Sequence, residues 1–177
     1  MAVQIGAKPD SGFDDPIGML KDCHRRIEWF AQILSHVVDQ AAGRTLTAEE
    51  KDAVEAALHY FHVGGERHNA DEEESLFPRM RAACGDGAGE DLEALEGEHV
   101  QAAKLHARVE ELYRVWMTAG ALPQVEVEEL RAATAALKQL YADHIRVEET
   151  TVFPQAAQML NKAELAAMGT EFKARRQ

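Results

Sequence analysis

Residues 68–78 read HNADEEESLFP, and residues 144–154 read HIRVEETTVFP. A histidine, a glutamate doublet, a phenylalanine and a proline recur at the same offsets. His68, Glu72, Glu73, Phe77 and Pro78 thus correspond to His144, Glu148, Glu149, Phe153 and Pro154. Scattered apolar matches arise by chance in helical proteins; a doubled His-x-x-x-Glu-Glu-x-x-x-Phe-Pro does not. Two lone histidines extend the repeat, since His24 stands 44 residues before His68 and His99 stands 45 before His144. Each half of the chain therefore reads as a helical hairpin, with one histidine on its first helix and a His-x-x-x-Glu on its second.

The apolar spacing around these motifs is helical. The first stretch opens at Asp14-Asp15-Pro16, an acidic cap followed by a helix-opening proline. It runs through Ile17, Leu20, Ile27, Ala31, Leu34 and Val38 to a stop at Gly43. The second opens with a capping box, Thr47 and Glu50, and carries Val54, Ala57, Leu58 and Phe61. Gly64-Gly65 costs helix stability there, about 1 kcal/mol per glycine, and marks a kink or a close approach. A glycine-rich break at residues 84–89 separates the two hairpins. The third stretch spans about 90–117, and the fourth begins near Val125. Asn161 and Glu164 form another capping box, opening a short last helix with a basic tail. The reading is all-α: an up-down-up-down four-helix bundle with a short C-terminal helix. Its parts are a flexible N-terminal segment (1–13), the bundle (14–160), and the short helix and tail (161–177).

Composition narrows the function. The chain has 177 residues with 31 acidic and 19 basic side chains, a formal net charge of -12. Such a surface repels nucleic-acid phosphates and anionic lipid, so neither is an expected partner. No apolar run reaches the length of a membrane span, and the first residues lack a basic start and an apolar core. Two cysteines, Cys23 and Cys84, build no disulfide framework. A cytoplasmic location is expected.

Helical phase then concentrates the chemistry. His24 falls between Leu20 and Ile27, and His99 between Leu95 and Ala102. His68 lies seven residues beyond Phe61, and His144 seven beyond Leu137. All four occupy core positions, and Glu72 and Glu148, one turn on, share their faces. Burying four imidazoles and two carboxylates without partners is very costly. A mutually hydrogen-bonded polar core is one solution. Metal is the better one, with neutral imidazoles as nitrogen ligands and glutamates that bridge two cations. Six donors exceed a single tetrahedral zinc site and suit two octahedral-leaning first-row ions.

With these residues in place the chain resembles the hemerythrin family, specifically the bacterial hemerythrin-like (HHE cation-binding) domains, over nearly its whole length. The resemblance implies a left-handed four-helix bundle around a non-heme di-iron centre, two iron ions bridged by an oxo or hydroxo group. The implied ligands are His24, His68, Glu72, His99, His144 and Glu148. Oxygen carriers of the family have a second third-helix histidine where this chain has Ala103, so the implied set is one imidazole short of theirs. Their fourth-helix carboxylate is an aspartate five residues after the histidine; here Glu148 stands four after. Glu28, four after His24, is either a further ligand or a salt-bridged partner of Arg25 or Arg26. His106 belongs beside the ligands or on the path to them, and Tyr141 can offer its hydroxyl to a bound oxygen species.

The remaining candidates read as ordinary. Glu73 and Glu149 are expected on a solvated face and His59 at the surface; His36 falls outside the repeat, and His62 either flanks the site or is simply a partly buried histidine. Cys23 reads as a small core or boundary residue, and Tyr113 and Trp116 as packing. The expected function is binding of, or reaction with, O2, NO or peroxide. Peroxide disproportionation or iron oxidation is the enzymatic alternative, and an iron- or redox-sensing interaction module is another.

Overall fold

A computed structural model describes residues 10–84 and 89–177, and all regular structure among them is helical. Helix α1 is Pro16–Ala41. Helix α2 covers 48–84 as one run, with π turns at Phe61–Gly65 and Glu72–Leu76. Helix α3 is Gly89–Ala119, and α4 covers 124–159 with a π turn at Glu148–Val152. The short α5 is Lys162–Ala174. Around the bundle α1 packs on α2 and α4, and α3 on α2 and α4, which is the up-down-up-down order. No helix among the described residues is long and apolar enough to cross a membrane.

Local chemistry sets the ends. The Asp15 carboxylate accepts from the Gly18 N–H, with Pro16 in the first turn. Both capping boxes, Thr47 with Glu50 and Asn161 with Glu164, are fully formed. Each cap stabilises its helix by about 1 kcal/mol. Helix α1 ends on two left-handed residues, Ala42 (φ 47°) and Gly43 (φ 85°). Gly43 also meets the other interhelical turn: its carbonyl accepts from the Leu122 N–H at 3.0 Å. A β-carbon at Gly43 would lie 2.5 Å from the Leu122 carbonyl oxygen, so only glycine fits. The glycine pair of α2 falls in a π turn. A β-carbon at Gly64 would strike the Tyr60 ring at 2.5 Å, and that ring stacks on Phe30 while its hydroxyl donates to the Cys23 carbonyl. The close approach is thus to an aromatic ring one turn back.

Residues 1–9 and 85–88 lie outside the described residues, and with them most of the segment read as flexible and most of the glycine-rich break. Within 10–13, Ser11 donates its N–H to Asp22, and Asp10 pairs with Arg26. The basic tail docks on the bundle: Arg175 and Arg176 both bind the buried Asp71, at 2.9 and 2.6 Å.

The core divides into two apolar clusters. One holds Ile27, Leu34, Val54, Phe61, Val109, Tyr113, Trp116 and Ile145. The other holds Leu20, Leu76, Phe77, Leu95, Val152, Phe153 and residues of α5. Between them lies a polar layer.

Candidate metal centre

Every helix of the bundle crosses that layer with a histidine. His24 sits between Leu20 of one cluster and Ile27 of the other; Glu148 sits between Ile145 and Val152. His24, His68, His99, His144, Glu72 and Glu148 are each 5% exposed or less. They form two groups of converging donor atoms, His24-His68-Glu72-Glu148 and Glu72-His99-His144-Glu148. Within each group one atom per residue lies within 4.8 Å of all the others. Both glutamates belong to both groups. Glu72 faces His68 Nε2 with Oε1 and His99 Nε2 with Oε2, each at 3.4 Å. Glu148 Oε2 faces His24 Nε2 at 3.0 Å and His144 Nε2 at 3.3 Å.

The π turns build the surroundings. Each begins at the motif glutamate and closes from the phenylalanine N–H five residues on, Phe77 to Glu72 and Phe153 to Glu148. An i→i+5 turn returns residue i+5 to the face of residue i, which an α-turn would not do. Phe77 therefore comes back inward and lies parallel to His99, with centroids 6.4 Å apart; Phe153 lies parallel to His24 at 5.3 Å. The second glutamate of each doublet serves the same rings. His24 Nδ1 donates to Glu149 at 2.9 Å and His99 Nδ1 to Glu73 at 2.7 Å. His144 Nδ1 donates to Glu98 at 2.8 Å.

These bonds fix the tautomers. A carboxylate accepts, so Nδ1 carries the proton on His24, His99 and His144, and a neutral ring then has a bare lone pair at Nε2. Yet His99 and His144 bring their Nε2 atoms within 3.1 Å of each other. Both oxygens of Glu72 and both of Glu148 are buried without a hydrogen-bond donor, as is His24 Nε2. Lone pairs thus face lone pairs throughout the layer. A cation between them removes the conflict, and the donor set fits one.

A sequence profile of the hemerythrin HHE cation-binding domain matches residues 15–156, a span that holds all six donors. The chain belongs to the hemerythrin HHE cation-binding family. It is also similar to an uncharacterized protein of Haemophilus influenzae, 27% identical over 174 residues, 93% of this chain and 92% of that one. The chain is therefore a hemerythrin-type helical domain whose buried His/Glu cluster is compatible with metal binding.

Electrostatics of the hemerythrin-type cluster agree with a cation site. Burial, then the charge of Glu148, pushes the Glu72 carboxyl well above its usual range. Burial opposes ionisation of Glu148 too, but the neighbouring imidazoles of His144 and His24 outweigh it and hold that carboxyl low. Burial and the neighbouring His24 pull His68 well down, into the neutral form that ligates metal. Burial also works against charge on His144, yet the neighbouring Glu148 carboxylate raises it on balance. Without a cation the layer thus favours the neutral form of the Glu72 carboxyl.

The other expected residues fall in different places. Glu28 is exposed and belongs to neither donor group. His106 and Tyr141 are hydrogen-bonded to each other at 2.8 Å rather than to the six. His36 and His59 are exposed. His62, read as partly buried, is exposed as well and pairs with Glu110 at 2.7 Å. Glu73 and Glu149 are solvated as expected, with side chains 40% and 38% exposed, and each in addition holds the Nδ1 of a buried histidine. Their recurrence in the motif was the available signal. Glu98 has no counterpart in the repeat and gave none.

Proposed function

We propose that this chain holds two iron ions between its four histidines and two glutamates and binds or reacts with O2, NO or peroxide there. The opposed Nε2 lone pairs of His99 and His144 at 3.1 Å, ringed by four unpartnered carboxylate oxygens, carry the reading. His24 and His68 would hold one ion, His99 and His144 the other, with Glu72 and Glu148 shared. Iron, when bound, supplies redox equivalents and Lewis acidity. Glu73, Glu98 and Glu149 keep three of the rings turned inward.

A cavity of about 200 Å³ borders this layer, lined among others by Phe61, Asn69, Ala102, Ala103, His106 and Tyr141. Asn69 adjoins His68, Ala103 stands one turn from His99, and Tyr141 lies three before His144. Three of its lining residues thus stand within about one helical turn of His68, His99 and His144 along their own helices. Burial pulls His106 down to about 4, leaving a neutral ring, while burial holds the proton on Tyr141. That buried pair keeps a proton at the Tyr141 oxygen beside the layer. A second reading is enzymatic turnover of peroxide, which needs a proton donor and would draw on the Tyr141 hydroxyl.

The metal-holding unit in this proposal is residues 14–160, in a cytoplasmic protein without nucleic-acid or membrane partners. Elemental analysis of the purified protein, with optical spectra before and after air or peroxide, tests the reading. About two irons per chain and a spectral change on exposure support it. Unchanged metal content in a His68→Ala, His144→Ala double variant overturns it. Steady peroxide consumption separates the enzymatic reading from stoichiometric binding.

A further inference from the structure

The two hairpins superpose in sequence with His24 on His99 and His68 on His144, shifts of 75 and 76 positions. Three of the four imidazoles have a carboxylate behind them, at Glu149, Glu73 and Glu98. The fourth does not. His68 is 2% exposed, and its Nδ1 meets no hydrogen-bond partner. The repeat locates the break. Glu98, which serves His144, directly precedes His99; the residue directly before His24 is Cys23. Where one hairpin presents a carboxylate the other presents a buried thiol, and the group on that thiol is a cation, Arg26 Nη1 at 3.7 Å.

We propose that the two cation positions are unequal: the one between His99 and His144 is the tighter and fills first, and the one between His24 and His68 fills second. The inference rests on reading the six side chains as ligands of two metal ions. An imidazole that donates its outer N–H to a carboxylate is held in one tautomer and orientation and is the stronger metal donor, and losing such a partner costs about 10–100-fold in affinity. His99 and His144 both have that support. On the other side His24 has it and His68 lacks it. The shared glutamates contribute to both positions alike, and each position has one phenylalanine-backed ring; among the groups behind the rings, the difference is the Glu98/Cys23 substitution.

Cobalt(II) titration of the metal-stripped full chain, followed by calorimetry and visible absorption, is the test. The expected result is two ions per chain in two resolved steps, the first about tenfold or more tighter. Glu98→Gln keeps the size of the side chain and removes its charge. It should weaken the first step about tenfold and leave the second in place. His68→Ala should lose the second step and keep the first, which shows that the folded bundle survives. Two steps of equal affinity, a tight step that His68→Ala abolishes, or a Glu98→Gln titration identical to wild type would each overturn the ordering while leaving a dinuclear centre standing. Fewer than two ions at saturation would overturn the dinuclear reading and the ordering together.

Discussion

The first hairpin offers His24, His68 and Glu72, and the second offers His99, His144 and Glu148, each glutamate at the start of a π turn. Neither half is complete in itself. The carboxylate that orients His24 is Glu149 and the ring stacked on it is Phe153, both from the second hairpin. His99 is held by Glu73 and covered by Phe77, both from the first. The halves differ at Cys23 and Glu98, and at Asp71, which occupies the place of Val147 and anchors Arg175 and Arg176. A duplicated sequence has thus become one crossed cluster, in which each half positions a histidine of the other while diverging where the C-terminal helix docks.

The largest effect should come from the residues the halves share. Glu148→Gln removes a carboxylate common to both donor groups, so both ions should be lost, metal content falling from about two per chain to near zero by elemental analysis. Loss of a single ion would mean the halves bind independently.

Glu72 sharpens the comparison through pH. Its folded carboxyl is raised far above the ordinary 4.5 by burial and by Glu148. In metal-free protein its contribution to stability is full below the ordinary carboxyl value and is lost as pH rises through the folded one. Glu72→Gln carries no such loss. The metal-free variant should therefore gain on wild type as pH rises above the ordinary carboxyl value, by on the order of 1 kcal/mol in urea unfolding with chelator present. In wild type, metal must displace that proton, so metal affinity should rise with pH, and loading at neutral pH should release protons into the buffer. Affinity independent of pH would contradict a protonated Glu72.

Crossing itself is tested by the exposed glutamates. Glu149→Gln should weaken the position built on His24, and Glu73→Gln the position built on His99, each about tenfold in cobalt titration. An effect confined to the hairpin carrying the substitution would break the crossed arrangement. The smallest effect is expected from the stacked rings: Phe77→Leu or Phe153→Leu should cost about 1 kcal/mol in unfolding of the metal-free protein, and the two should be alike.

Sequence alone determined the helices, the duplication and the six inward side chains, because these depend on local quantities. A 3.6-residue period, a capping box and an i, i+4 spacing are all written along one strand of text. The register of Phe77 and Phe153 was not written there, since α-periodicity places residue i+5 off the face and the π turn restores it. Nor was the task of Glu73 and Glu149, which lie on the outer flank of their own helices and find their partners only on a neighbour. The inequality of His68 and His144 was likewise out of reach, because it depends on which residue of an adjacent helix stands behind each ring. Those features were decided by tertiary packing, where a hydrogen bond between residues 125 positions apart, such as His24 to Glu149, comes from helix adjacency rather than sequence spacing.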